Sequence, residues 1–178
     1  MNLNLISQAT VKTQLGITDN TYDDQITAMI PIVSSDVRRI LNCNYDRYVY
    51  ALLTSGSADF LYNKGLQMGQ VISGTGIPDD TYITSFNIDT DTYTMSAAAT
   101  ADADYFVPTV QIAQWPAISK MIFYKISKQS TDSATQEKYQ SITYGNVSKT
   151  FAGGEINKKF DYPQVLLDDL GRPFAVTG

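Results

Sequence analysis

The side chains able to do acid–base, nucleophilic or metal chemistry form no recognisable motif in this 178-residue chain. Histidine is absent, which removes Ser-His-Asp and Cys-His catalysis and imidazole metal sites. Cys43 is the one cysteine, so neither an internal disulfide nor a thiolate cluster can form. Its place at the end of an apolar stripe predicts a buried structural thiol. Acid is nearly all aspartate, since Glu137 and Glu155 are the only glutamates. A carboxylate pair for glycoside hydrolysis could be drawn from the aspartates, but spacing sets no pair apart. Asp89-Thr90-Asp91 lacks the glycine and closing glutamate of a calcium loop. Asp79-Asp80, and Asp102 with Asp104, read as solvated turn charges. Gly74-Thr75-Gly76 has no third glycine at the dinucleotide step, and Pro78 blocks a phosphate-facing helix start, so these are β-turn glycines. The expectation is a protein that is not an enzyme and uses no cofactor or metal.

Charge points the same way. The balance is 13 basic against 18 acidic residues, net −5, a poor surface for neutralising phosphates. Arg38-Arg39, Lys120, Lys125, Lys128 and Lys158-Lys159 are scattered, as expected of solvated faces or subunit salt bridges. The 12 tyrosines outnumber the 7 phenylalanines, and tyrosine is a common contact residue where proteins meet. MNLNLISQAT has no basic region ahead of an apolar run, and no run approaches the ~20 apolar residues of a membrane span. A soluble protein made in a cytoplasm is expected, with one domain or one domain plus an insert.

The elements that must position these residues begin with a helix from Gln8 to Leu15, capped by Ser7 and stopped by Gly16. A long amphipathic helix follows from Tyr22 to Cys43, about 30 Å at ~1.5 Å per residue. Ile26, Met29, Ile30, Val33, Val37, Ile40 and Leu41 form its apolar stripe, with Asp23, Asp24, Ser34, Ser35 and Arg38 opposite. Asn20 or Thr21 can cap it. Pro31 removes one of its hydrogen bonds, at a cost of about 3 kcal/mol if uncompensated, and marks either a packing kink or a functional bend. From Tyr48 to Val107 the pattern changes to five or six short strands (YVYALLT, ADFLYN, QVIS, TYITSFNI, DTYTMSA, ADYFVP), with Ile77-Pro78-Asp79-Asp80 as a turn.

Helical spacing returns after Pro108, with Val110, Ile112, Trp115, Ile118, Met121, Ile122 and Ile126 as its stripe. Pro116 either kinks this helix or starts it. YQSITYGNVSKTF reads as a strand pair about Gly145-Asn146, and Gly153-Gly154 as a flexible joint. Tyr162-Pro163 opens a short helix stopped by Gly171. Its stripe of Tyr162, Leu166, Leu167, Leu170 and Phe174 either folds back on the chain's own core or docks in a partner's groove. The fold class is α+β: a small helical bundle of about four helices (1–47 and 108–178) with an inserted all-β module (48–107) and an extended β arm.

Two stretches resemble known phage proteins. ISQATVKTQLGITDNTYDDQITAMIPIVSSDVRRILN is similar to the opening of the head–tail adaptor, or connector, proteins of long-tailed bacteriophages. A third helix, a segment like YQSITYGNVSKTF and a Pro-started helix like YPQVLLDDL continue that likeness over most of the chain outside the insert. GLQMGQVISGTGIPDDTYITSF followed by YTMSAAAT resembles a small β module of phage structural proteins, in which a Gly-x-Gly-Ile-Pro turn precedes a Thr-rich strand. The adaptor pattern in its minimal form lacks such an insert.

The resemblance implies a virion protein assembled in the host cytoplasm as a homo-oligomeric ring, dodecameric in the family. The ring sits beneath the portal protein, extends the DNA channel without sequence-specific binding, and presents a platform to the next neck or tail-completion protein. Tyr162, Leu166, Leu167, Leu170 and Phe174 would then bind the portal. Tyr144, Val147 and Phe151 on the arm, and Arg38 and Arg39, would meet a neighbouring subunit or the next ring. The competing expectation is a binding protein of a phage neck or tail whose β module recognises a glycan or cell surface.

Overall fold

The computed structural model describes residues 4–45, 47–62, 65–130, 141–144, 147–150, 156–157 and 160–171. The fold is α+β. Helices α1 (Gln8–Leu15) and α2 (Asp23–Leu41) precede strands β1 (Val49–Leu53), β2 (Asp59–Leu61), β3 (Gln70–Ser73), β4 (Ile83–Asn87), β5 (Thr92–Met95) and β6 (Ala103–Gln111). A 3-10 turn, Ile112–Gln114, leads into α3 (Trp115–Ser130), followed by β7 (Ser141–Tyr144), β8 (Val147–Thr150), β9 (Ile156–Asn157), β10 (Tyr162–Pro163) and α4 (Gln164–Leu170).

Local chemistry accounts for the helix limits. The Ser7 hydroxyl accepts from Thr10 N–H, and Gly16 closes α1 in the left-handed conformation at φ 71°, which glycine adopts without a Cβ penalty. α2 buries Ile26, Met29, Ile30, Val33, Ser34, Val37 and Leu41, and Asn42 ends it at φ 52°. Asp23 and Asp24 occupy its first turn, where carboxylates meet the positive end of the helix dipole. Pro31 lies inside the helix on its exposed side.

The central element is α3 rather than α2. Trp115, Ala117, Ile118, Met121, Ile122, Phe123, Tyr124 and Ile126 are all buried, so apolar surface covers most of its circumference, as expected of a helix enclosed by neighbours. α1, α2 and α4 each pack against it. Pro116 stands in its first turn, where its missing N–H costs no intrahelical bond.

The first six strands form two antiparallel three-stranded sheets, ordered β1-β6-β3 and β2-β5-β4. Their core contains Val49, Leu53, Phe60, Ile72, Ile83, Tyr93, Met95 and Phe106. β3 and β6 also serve the helical core. Val71 belongs to the helical cluster and its neighbour Ile72 to the strand cluster, because successive strand residues face opposite sides. β6 pairs with β1 through Phe106 and with β3 from Val107 to Gln111. Pro108 thus stands beyond the last β1 pair and opposite a register shift in β3, a place where a missing ladder donor is tolerated. Tyr82 adds a bridge, its ring lying edge-on to Trp115 at 6.0 Å.

Several expectations are corrected. Tyr22, not Asn20 or Thr21, is the N-cap of α2, and it makes no side-chain cap bond. Ser34 faces inward, its hydroxyl accepting from Leu5 N–H at 3.1 Å. Val110 and Ile112 precede the third helix, because β6 continues through Pro108. Cys43 is half-buried just past α2. Asp80 and Asp102 are not merely solvated turn charges. Asp80 accepts from Ser7 N–H at 2.9 Å and Asp102 from Ser55 N–H at 2.7 Å, so each carboxylate fastens a distant segment of chain.

Candidate functional site

β1 alternates buried Val49, Ala51 and Leu53 with exposed Tyr50 and Leu52. On a sheet with one wet face the outward positions are ordinarily polar. Here Tyr50 is 75% exposed and Leu52 69%. Tyr48 and Tyr105 join them: the Tyr105 ring meets Tyr48 edge-on at 5.2 Å and lies tilted to Tyr50 at 6.3 Å. The result is a contiguous apolar face on β1 and β6, the kind of surface that marks a contact site.

That face borders an open cavity of about 610 Å³, lined by Arg47, Tyr48, Tyr50, Leu61, Tyr62, Thr90 and Asp91. Its volume lies within the roughly 300–1,000 Å³ range of small-ligand sites. The β2–β5 ladder sets the far wall by pairing Leu61 with Thr92. Tyr62 N–H donates to the Asp91 carbonyl at 3.0 Å, and Asp91 takes φ 50° at the β4–β5 turn, a conformation Asp accepts more readily than most residues. Both walls therefore rest on paired backbone.

A second polar cluster joins α2, α3 and the C-terminal segment. Tyr162 Oη donates to Asp36 Oδ2 at 2.7 Å, and Arg39 Nη2 lies 2.9 Å from Asp36 Oδ1. Lys125 Nζ is 3.6 Å from Asp36 and sits 4.7 Å from the centre of the Tyr162 ring. Lys128 Nζ contacts Asp161 at 2.7 Å. Burial first, and then the bond to Asp36, pushes the Tyr162 phenol well above its ordinary value. A phenol held neutral against a carboxylate is a poor nucleophile and a good fastener.

The expected contact residues fare unevenly. Tyr162, Leu166 and Leu170 are buried in the helical core and Leu167 is partly buried against it, so this stripe folds back on its own chain. The Gln114 side-chain amide reinforces it by donating to the Leu170 carbonyl at 2.8 Å. These side chains therefore serve the chain's own core, the first of the two placements expected for the stripe. Arg39 is exposed, with its guanidinium on Asp36 and 5.6 Å from the centre of the Phe160 ring. Arg38 is partly buried. Tyr144 pairs with Val147 across β7 and β8. Phe151 and Phe174, with Gly145-Asn146, Gly153-Gly154 and Lys158-Lys159, lie outside the described residues.

The β1 face and its cavity were missed by sequence reasoning. A signal was present, because YVYALL is apolar at both alternating positions and a strand with one wet face should not be. Among the described residues no group of three His, Cys, Asp or Glu could hold a metal ion, and no helix is long and apolar enough to cross a membrane. The chain matches no protein-family model, and no curated protein is significantly similar to it.

Proposed function

We propose that this chain is a head–tail adaptor, a structural virion protein that forms a ring under a phage portal and links it to the neck or tail. In this reading the helices are the frame, and the six strands from Val49 to Gln111 are a β module inserted between α2 and α3. The supporting observation is the packing of α2 against α3 across the intervening six strands. That packing brings the two ends of the strand region back to one helical core, as insertion into a closed frame requires. The order of elements is the one on which the resemblance rests.

With Tyr162, Leu166 and Leu170 buried, attachment falls to surface residues of the helical frame. Arg38 and Arg39 at the end of α2 stand as candidate contacts to a neighbour. Many modest interfaces repeated around a ring sum to firm attachment. The test is to mix the purified chain with portal rings from the same phage and image the mixture by electron microscopy. The adaptor reading expects an added ring of density on one face of the portal. Bare portals at saturating chain concentration contradict it.

A further inference from the structure

We propose that the cavity beside β1 is a binding site for a neutral saccharide. Its lining supplies both kinds of contact that a sugar ring needs. Tyr48, Tyr50, Leu61 and Tyr62 give apolar and aromatic surface, while Arg47, Thr90 and Asp91 give polar groups. A pyranose has a face of C–H bonds that packs on an aromatic ring, whose face carries negative potential. Around its edge stand hydroxyls that both donate and accept. The Asp91 carboxylate accepts, the Arg47 guanidinium donates, and Thr90 and the tyrosine hydroxyls do both.

Charge narrows the class. One cation and one anion line the same cavity, so its formal charge balances. Asp91 opposes an anionic sugar or a phosphate, Arg47 opposes a cationic group, and the three polar residues disfavour a wholly apolar ligand. A neutral hydroxylated ring meets neither opposition.

The platform is also held in place before a ligand arrives. Tyr48 rests edge-on against Tyr105, and Tyr62 lies tilted against Tyr93 at 6.2 Å. The turn bearing Thr90 and Asp91 is tied to Tyr62 by the backbone bond already described. Tyr50 and Leu61 stand on β1 and β2, and contact residues held in this way lose little freedom on binding. The site does not depend on the adaptor reading, and it would give the β region a recognition role of its own.

The test uses the full chain on a panel of neutral glucose-, galactose- and mannose-based oligosaccharides beside sialylated and sulfated ones, followed by titration calorimetry with the best neutral binder. Tyr50→Ala should weaken binding about tenfold, the loss of one aromatic platform contact, and Asp91→Asn severalfold. Leu52→Ala, outside the cavity lining, should bind as the parent does. Tyr50 is exposed, so its variant should keep the parent melting temperature, which separates lost binding from lost fold. No neutral binder at millimolar concentration, binding confined to the acidic glycans, or a Tyr50→Ala variant with unchanged affinity would each overturn the proposal.

Discussion

Tyr162 Oη lies 2.7 Å from Asp36 Oδ2, tying together residues 126 positions apart. One end of the bond is on α2 and the other is on the strand that leads into α4. The same carboxylate receives Arg39 and Lys125, so a single aspartate fastens the C-terminal segment to two helices.

This bond carries a pH signature. Burial and Asp36 raise the Tyr162 phenol above its ordinary value of 10.0, so the folded state favours the neutral form. The contribution is therefore complete below about pH 10 and is lost as pH rises further. Burial raises Tyr45 in the same direction. Chemical denaturation between pH 7 and 11 should show the parent losing stability above pH 10. Tyr162→Phe should start about 1 kcal/mol lower at pH 7 and fall less steeply. Parallel curves would deny the bond its role.

The C-terminal helix should be needed for the fold. Leu166 and Leu170 are each 1% exposed, and truncating a buried leucine to alanine costs about 2–5 kcal/mol. Leu166→Ala should lower the denaturant midpoint accordingly, and truncation after Asp161 should abolish the cooperative transition. A truncated chain that melts like the parent would return the stripe to the surface.

Much of this fold was legible in the residues, and the lapses have physical causes. The helix caps at Ser7 and Gly16 and all six strand runs between Tyr48 and Pro108 follow from turn chemistry and apolar period. Pro108 read as a stop because a proline inside a strand forfeits a donor. It is tolerated because β1 pairing ends at Phe106, a tertiary fact with no local sign. The bond from Tyr162 to Asp36 was invisible for the same reason, since its partners are remote in sequence. At the cavity, the tyrosines were noted as contact residues. Which of them face outward depends on strand pairing, and the YVYALL run does not settle it.

The turn at Gly76 gives a sharper local test. Gly76 has φ +72°, and a Cβ there would sit 2.7 Å from the Ala101 carbonyl oxygen. Its own carbonyl accepts from Thr100 N–H at 2.7 Å, which pins the turn. Gly76→Ala should destabilise by at least about 1 kcal/mol, since alanine is strained at positive φ. Thermal melting reads the loss directly, and an unchanged melting temperature would mean that the turn relaxes freely.

Pro31 should be a cost carried by α2. Alanine there restores a donor toward the Thr27 carbonyl and relieves the ring's crowding of that group. Because Pro31 is exposed, the substitution leaves core packing alone. Pro31→Ala should gain roughly 1–3 kcal/mol in chemical denaturation. If the proposed adaptor role requires a bend at this position, the same variant should assemble poorly on portals. A stabilised variant that assembles normally would make the proline a matter of packing.

The most direct measurement weighs the assembly. Mass photometry of portal rings, alone and with the purified chain, should reveal a discrete added mass equal to a whole ring of 19.7 kDa subunits, twelve of them if the family pattern holds. Portal particles whose mass stays unchanged at saturating chain concentration would contradict the adaptor account.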